Sequence, residues 1–153
     1  MVGAVVTATA VAGGIATCPN SLWYRSLRKP CWQPPAAAFG PVWTMLHADI
    51  AFVSALHLAD RLEGFEDDDV KPYAAALAAN LALNANWSWV FFRSRNLPLA
   101  TGVAAALAAS SADLVRRVWK SRTQRGVVLA PYAAWTGFAA ALTAELLRRN
   151  PRR

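Results

Sequence analysis

Asn80, Asn84, Trp87 and Phe91 are separated by four, three and four residues, which puts two amides and two aromatic rings on one face of an α-helix. An amide in hydrocarbon is costly unless it finds a partner, so this face must look into a protein interior. There the amides either hold a neighbouring helix or contact a ligand. A second stripe, Trp43, His47, Ile50, Ser54 and His57, alternates the same spacings and carries an indole and two imidazoles inward by the same argument. His47 has the chemistry to ligate haem iron or to hydrogen-bond a guest, although the plainer role for such a histidine is packing. Asp49 lies off the stripe; it calls for an interhelical donor or a hydrated cavity, and a proton relay is a further use of a carboxyl at that depth. In a third stripe, Trp135, Ala139, Leu142 and Thr143 set one large ring beside small neighbours. That shape leaves room for a flat guest.

The elements that must position these stripes are apolar helices. Five stretches, 2–17, 41–60, 72–92, 97–117 and 126–147, are each long enough, or nearly so, to cross a hydrocarbon core about 30 Å thick. The expected fold is therefore an all-α membrane protein, a bundle of five transmembrane helices forming a single domain over residues 1–153. Pro41 and Pro72 are expected at helix starts, where a missing N–H costs nothing. Arg93 and Arg95 end the third span as interfacial anchors. Gly13, Gly14, Gly102, Gly137 and many alanines would let helix backbones approach closely. Trp23 and Trp119 suit the interfacial aromatic belt, whereas Trp43, Trp87 and Trp135 sit on inward stripes.

Composition agrees. Of the 153 residues 56% are hydrophobic, more than a soluble domain of this size can hide. The net charge of +7 would suggest nucleic acid in a soluble protein, but here the basic residues flank apolar runs and point to headgroups; no nucleic-acid partner is expected. Lys and Arg number nine on the side of the first loop, third loop and C-terminus and seven on the other, a near balance that leans to a cytoplasmic C-terminus. The uncharged opening segment has no basic n-region and reads as a retained span, not a secretory leader. Cys18 and Cys31 fit neither a metal spacing nor a disulfide framework and read as free thiols. Glu66-Asp67-Asp68-Asp69 lacks the glycine and glutamate of a calcium loop and reads as a solvated turn. Asp113 and Glu145, close to arginines near the membrane edge, read as hydrated or ion-paired. No phosphate loop, nucleophile elbow or zinc motif is present.

Several short motifs carry a resemblance. Trp23-Tyr24 with Leu27 and Lys29-Pro30, then Trp32-Gln33-Pro34-Pro35, then Phe39-Gly40-Pro41-Val42-Trp43-Thr44 resemble the pattern of the TspO/MBR family, the translocator proteins, tryptophan-rich sensory proteins or peripheral benzodiazepine receptors. Leu83-Asn84 with Trp87-Ser88-Trp89 and Phe91-Phe92, and Pro131-Tyr132 with Trp135 and Phe138-Ala139, are similar to its third-helix and fifth-helix motifs. The resemblance covers nearly the whole chain.

It implies a five-helix bundle, often a homodimer, with a pocket below the first long loop that accepts porphyrins, haem-like tetrapyrroles, sterols and synthetic isoquinolines. By motif, Trp43 and Trp135 match the tryptophan pair associated with porphyrin binding and its light-dependent breakdown; Asn84, Trp87 and Ala139 match pocket positions. His47 stands where tyrosine is usual, Asn80 where glutamine is usual and Thr143 where asparagine is usual, so pocket hydrogen bonding differs; the sterol-recognition pattern near the end of the fifth helix lacks its tyrosine, which argues against cholesterol. The expected ligand-binding set is Trp43, His47, Asn84, Trp87, Trp135, Ala139 and Leu142, with no metal and no obligatory cofactor. The expected function is binding of a porphyrin or haem as sensor, carrier or scavenger. Two other readings are a photo-oxidative enzyme using Trp43 and Trp135, and a small-molecule transporter drawing on Asp49 and His57.

Overall fold

The structure, a computed structural model, describes residues 2–63 and 67–151. These form only helices: α1 (Val2–Ala16), a short α2 (Leu22–Ser26), α3 (Ala36–Glu63), α4 (Asp67–Ser88) extended by a π-helical turn (Trp89–Arg93), α5 (Leu97–Ser121) and α6 (Thr123–Arg149). Three helices, over Ala36–Asp60, Leu97–Ser121 and Thr123–Arg149, are long and apolar enough to cross a membrane. α1 is apolar but has only 15 residues. α4 has 22, and Asn80, Asn84 and Asn86 dilute its apolar character.

Two helix starts differ from expectation. α3 begins at Ala36 and α4 at Asp67, so Pro41 and Pro72 lie inside helices. Ahead of Pro41 stand three alanines, strong helix formers that add a turn upstream; ahead of Pro72 the backbone is already helical from Asp67. Of the acidic run read as a solvated turn, Glu66 lies outside the described residues, and the backbone is helical from Asp67. Arg152 and Arg153 also lie outside them.

α5 and α6 make the most extensive pairing in the molecule; α1 packs on α3 and α4, and α3 on α6 and α4. The α5–α6 connection is a single residue, Arg122. It is possible because a glycine follows: a Cβ on Gly126 would lie 2.7–2.8 Å from Trp119. Of the glycines expected at close approaches, only Gly13 meets a neighbour, with Ser88 Oγ 3.3 Å from its would-be Cβ; Gly14, Gly102 and Gly137 face open space. Arg125 ties the end of α3 to the start of α6, pairing with Asp60 at 2.9 Å and donating to Leu56 O at 3.1 Å. Arg95, at φ 54°, reverses the chain after the π turn, and Asn96 caps α5 by accepting from Leu99 N.

Two carboxylates are held by arginines one turn along their own helices. Asp113 pairs with Arg116 and Arg117, and Glu145 with Arg148 and Arg149 at 2.6–2.7 Å. Cys18 and Cys31 are free thiols. Trp119 is exposed, as a belt residue should be, whereas Trp23 is half-buried with its ring 5.5 Å from Phe91.

Candidate functional site

A cavity of about 870 Å³ lies among α1, α3, α4 with its π turn, and the C-terminal part of α6. α3 contributes Phe39, Trp43, Thr44 and His47; α4 contributes Asn84, Trp87 and Ser88; the π turn contributes Phe91 and Phe92. α6 gives Leu142, Thr143 and Leu146, and the segment after α1 gives Pro19 and Tyr24. The two inward stripes account for the aromatic side: Trp43 and Trp87 stand 6.1 Å apart, and Trp87 and Phe91 5.7 Å apart. The π turn, a feature frequent at functional sites, carries Phe91 and Phe92 towards Tyr24, at 6.1 and 5.6 Å.

Of the residues expected to bind ligand, Trp43, His47, Asn84, Trp87 and Leu142 line this cavity. Trp135 and Ala139 are not among its lining. Trp135 packs behind Trp43, nearly perpendicular to it at 6.5 Å, and also against Phe39 and Phe138. Ala139 is buried, its carbonyl accepting from Thr143 Oγ1 at 2.7 Å. Asp49 is half-buried on α3 and also lies away from the cavity lining. The His57 and Tyr73 rings meet at 4.3 Å, tilted by 48°, with Tyr73 Oη bonded to Ser54 Oγ.

The polar groups are sparse. His47 Nδ1 lies 2.7 Å from Trp43 O. His47 Nε2, Trp87 Nε1 and Trp135 Nε1 are buried with no hydrogen-bond partner, groups that a bound molecule or water would satisfy. Behind Asn84, the Tyr132 hydroxyl links it to Asn80, and Asn80 reaches Ser110 and Ser111 on α5.

The wall supplied by α1 was not evident beforehand. Thr7, Ala10, Gly14 and Thr17 line it, and their three–four–three spacing is the one signal that could have revealed it. Thr7 and Thr17 donate to carbonyls four residues back, so this wall offers almost no free polarity. Tyr24 was the other omission. Gln33 donates to its hydroxyl at 2.9 Å, and burial pushes the phenol up, keeping it neutral. The segment bearing Tyr24 is clamped at its far side by Asn150, which accepts from Arg28 N at 3.0 Å and donates to Arg28 O and Leu146 O. Arg93 pins the end of α1 by donating to Ile15 O.

Known proteins share this chain's pattern. The sequence model of the TspO/MBR family matches residues 1–149. A translocator protein from Sus scrofa is 33% identical over 151 residues, covering 90% of this chain and 83% of the relative. A tryptophan-rich protein TspO from Archaeoglobus fulgidus is 34% identical over 147 residues, 95% and 92% of the two chains. A tryptophan-rich sensory protein from Cereibacter sphaeroides is 32% identical over 128 residues, 84% and 77%. With membrane-length apolar helices and a family match from end to end, the chain is a multi-pass integral membrane protein and belongs to the TspO/MBR family.

Proposed function

We propose that this protein binds a flat hydrophobic ligand of the tetrapyrrole class, a porphyrin or haem, in the cavity beside Trp43, and serves as a sensor, carrier or scavenger. In this reading α1 and α4 with its π turn also span the membrane, making five helices. The observation that carries it is the cavity itself: about 870 Å³, within the range of small-molecule sites, walled by Trp43, Trp87, Phe91 and Phe92. Rings of this kind stack on a macrocycle, and Arg25 and Arg28, in the segment that also holds Tyr24, suit its carboxylates. The test is titration of purified protein with protoporphyrin while following tryptophan fluorescence. Quenching that saturates supports the site; an unaltered affinity in a Trp43→Ala, Trp135→Ala double variant refutes it.

A second reading is favoured by the contact of Trp43 with both Trp87 and Trp135. Here an indole gives an electron to the excited porphyrin, the reduced ring passes it to O2 as superoxide, the indole radical cation takes an electron back from the porphyrin, and superoxide adds to the oxidised macrocycle, which opens with both oxygen atoms retained. Proximity is the only contribution this asks of the protein. Illumination with oxygen should bleach the porphyrin spectrum in the native protein and leave it unchanged in the double variant; equal bleaching in both removes the reading.

A further inference from the structure

The hydrogen bonds behind the cavity run in one direction, and that direction determines what Asn84 shows to a ligand. Ser111 Oγ donates its only proton to Leu107 O at 2.8 Å, so towards Asn80 it can only accept, from Nδ2 at 3.0 Å. Asn80 is thereby oriented with Oδ1 towards Tyr132, whose hydroxyl donates to it at 2.7 Å. With its proton spent, Tyr132 Oη accepts from Asn84 Nδ2 at 3.3 Å. Amide orientations are otherwise ambiguous; here a backbone carbonyl on α5 settles both. What remains of Asn84 is Oδ1, an acceptor that this chain of hydrogen bonds leaves unused.

The neighbouring imidazole is oriented the same way. A backbone carbonyl can only accept, so His47 Nδ1, 2.7 Å from Trp43 O, carries the proton. In the neutral ring Nε2 is then a bare lone pair, buried and without a geometric partner, within side-chain hydrogen-bonding reach of Asn84. Both residues line the cavity. Two acceptors thus stand together with no proton between them, an arrangement that is costly to leave empty. Trp87 Nε1 offers an unused donor one turn along α4, so a ligand carbonyl or ether has a place there but none at Asn84.

We propose that Asn84 Oδ1 and His47 Nε2 form an acceptor-only recognition pair that selects ligands bringing an N–H or O–H group to this wall, with Ser111, Asn80 and Tyr132 as positioning residues that set its polarity. The proposal rests on the cavity being a ligand site, and not on the ligand being a tetrapyrrole.

The test uses two flat fluorescent probes of nearly equal shape, 1-hydroxypyrene, which donates, and 1-methoxypyrene, which cannot. Detergent-solubilised full-length protein is titrated with each at pH 7, reading energy transfer from tryptophan and subtracting empty micelles. Hydroxypyrene should bind at least about tenfold tighter. Tyr132→Phe frees the Asn84 amide to turn its N–H₂ outward, and the preference should fall below about threefold while methoxypyrene affinity is retained. Asn84→Leu should give the same loss by removing the acceptor outright, and it serves where Tyr132→Phe does not fold. Equal affinities for the two probes in the native protein, binding of neither, or a preference unchanged in the folded variants overturns the proposal. A protoporphyrin titration of the same sample keeps the outcomes separate, since the hydroxyl preference can hold where porphyrin fails to bind, and the reverse.

Discussion

Trp43 lines the cavity and packs edge-on against Trp135, which does not line it. The two indoles are therefore unequal. Trp43→Ala removes a wall and should weaken protoporphyrin binding at least about tenfold, whereas Trp135→Phe keeps a buttressing ring and should change it less than about threefold; fluorescence titration of the two single variants compares them. The stripes on α3 and α4 were legible from spacing alone, because an amide or indole recurring every three or four residues in an apolar background names the buried face. Asn80, Asn84, Trp87 and Phe91 are all buried. Which side of Trp43 the second indole would take was not legible, since that depends on how α3 and α6 cross and on the position of Phe39 between them. Tyr132 carried no sign of its part either: its hydroxyl meets Asn80 and Asn84 only through the register between α4 and α6.

At the scale of elements, the tightest constraint is the one-residue turn between α5 and α6. A Gly126→Ala change forces a methyl against the Trp119 backbone and ring, which neither helix can avoid without moving. It should cost about 1–3 kcal/mol, as overpacking does, and lower the thermal midpoint in detergent, while Gly14→Ala, in open space, should leave it unchanged. The expected spans captured the cores of the long helices but not their ends. Helix starts depend on what precedes the proline, as at Ala36 and Asp67, more than on the proline itself. The wall built by α1 escaped notice for a related reason: a helix of small and apolar residues all round shows no contrast between its faces.

Across the whole molecule, the first segment, α4 and the C-terminus meet at one end. There, among the described residues, Arg25, Arg28, Lys29, Arg93, Arg95, Arg148 and Arg149 accompany one side-chain carboxylate, Glu145, itself held by Arg148 and Arg149. The opposite end mixes both signs. Cys18 and Cys31 belong to the basic end and should react with an impermeant maleimide from the same side of sealed vesicles as a cysteine placed at Arg149; labelling from opposite sides would refute the five-span arrangement. In the reading that includes a homodimer, Gly102 and Gly137, both on outward faces of α5 and α6 with nothing of this chain near them, are the positions where a second copy would approach. Replacing both by leucine should then abolish cross-linking between protomers without altering the fold of each.

Asn150, the cap that follows α6, grips the backbone of Arg28, so one amide fastens the segment that carries Tyr24 over the cavity. Asn150→Ala should therefore speed ligand exchange and expose the bond after Arg28 to trypsin, although the substitution touches neither the cavity wall nor the ligand.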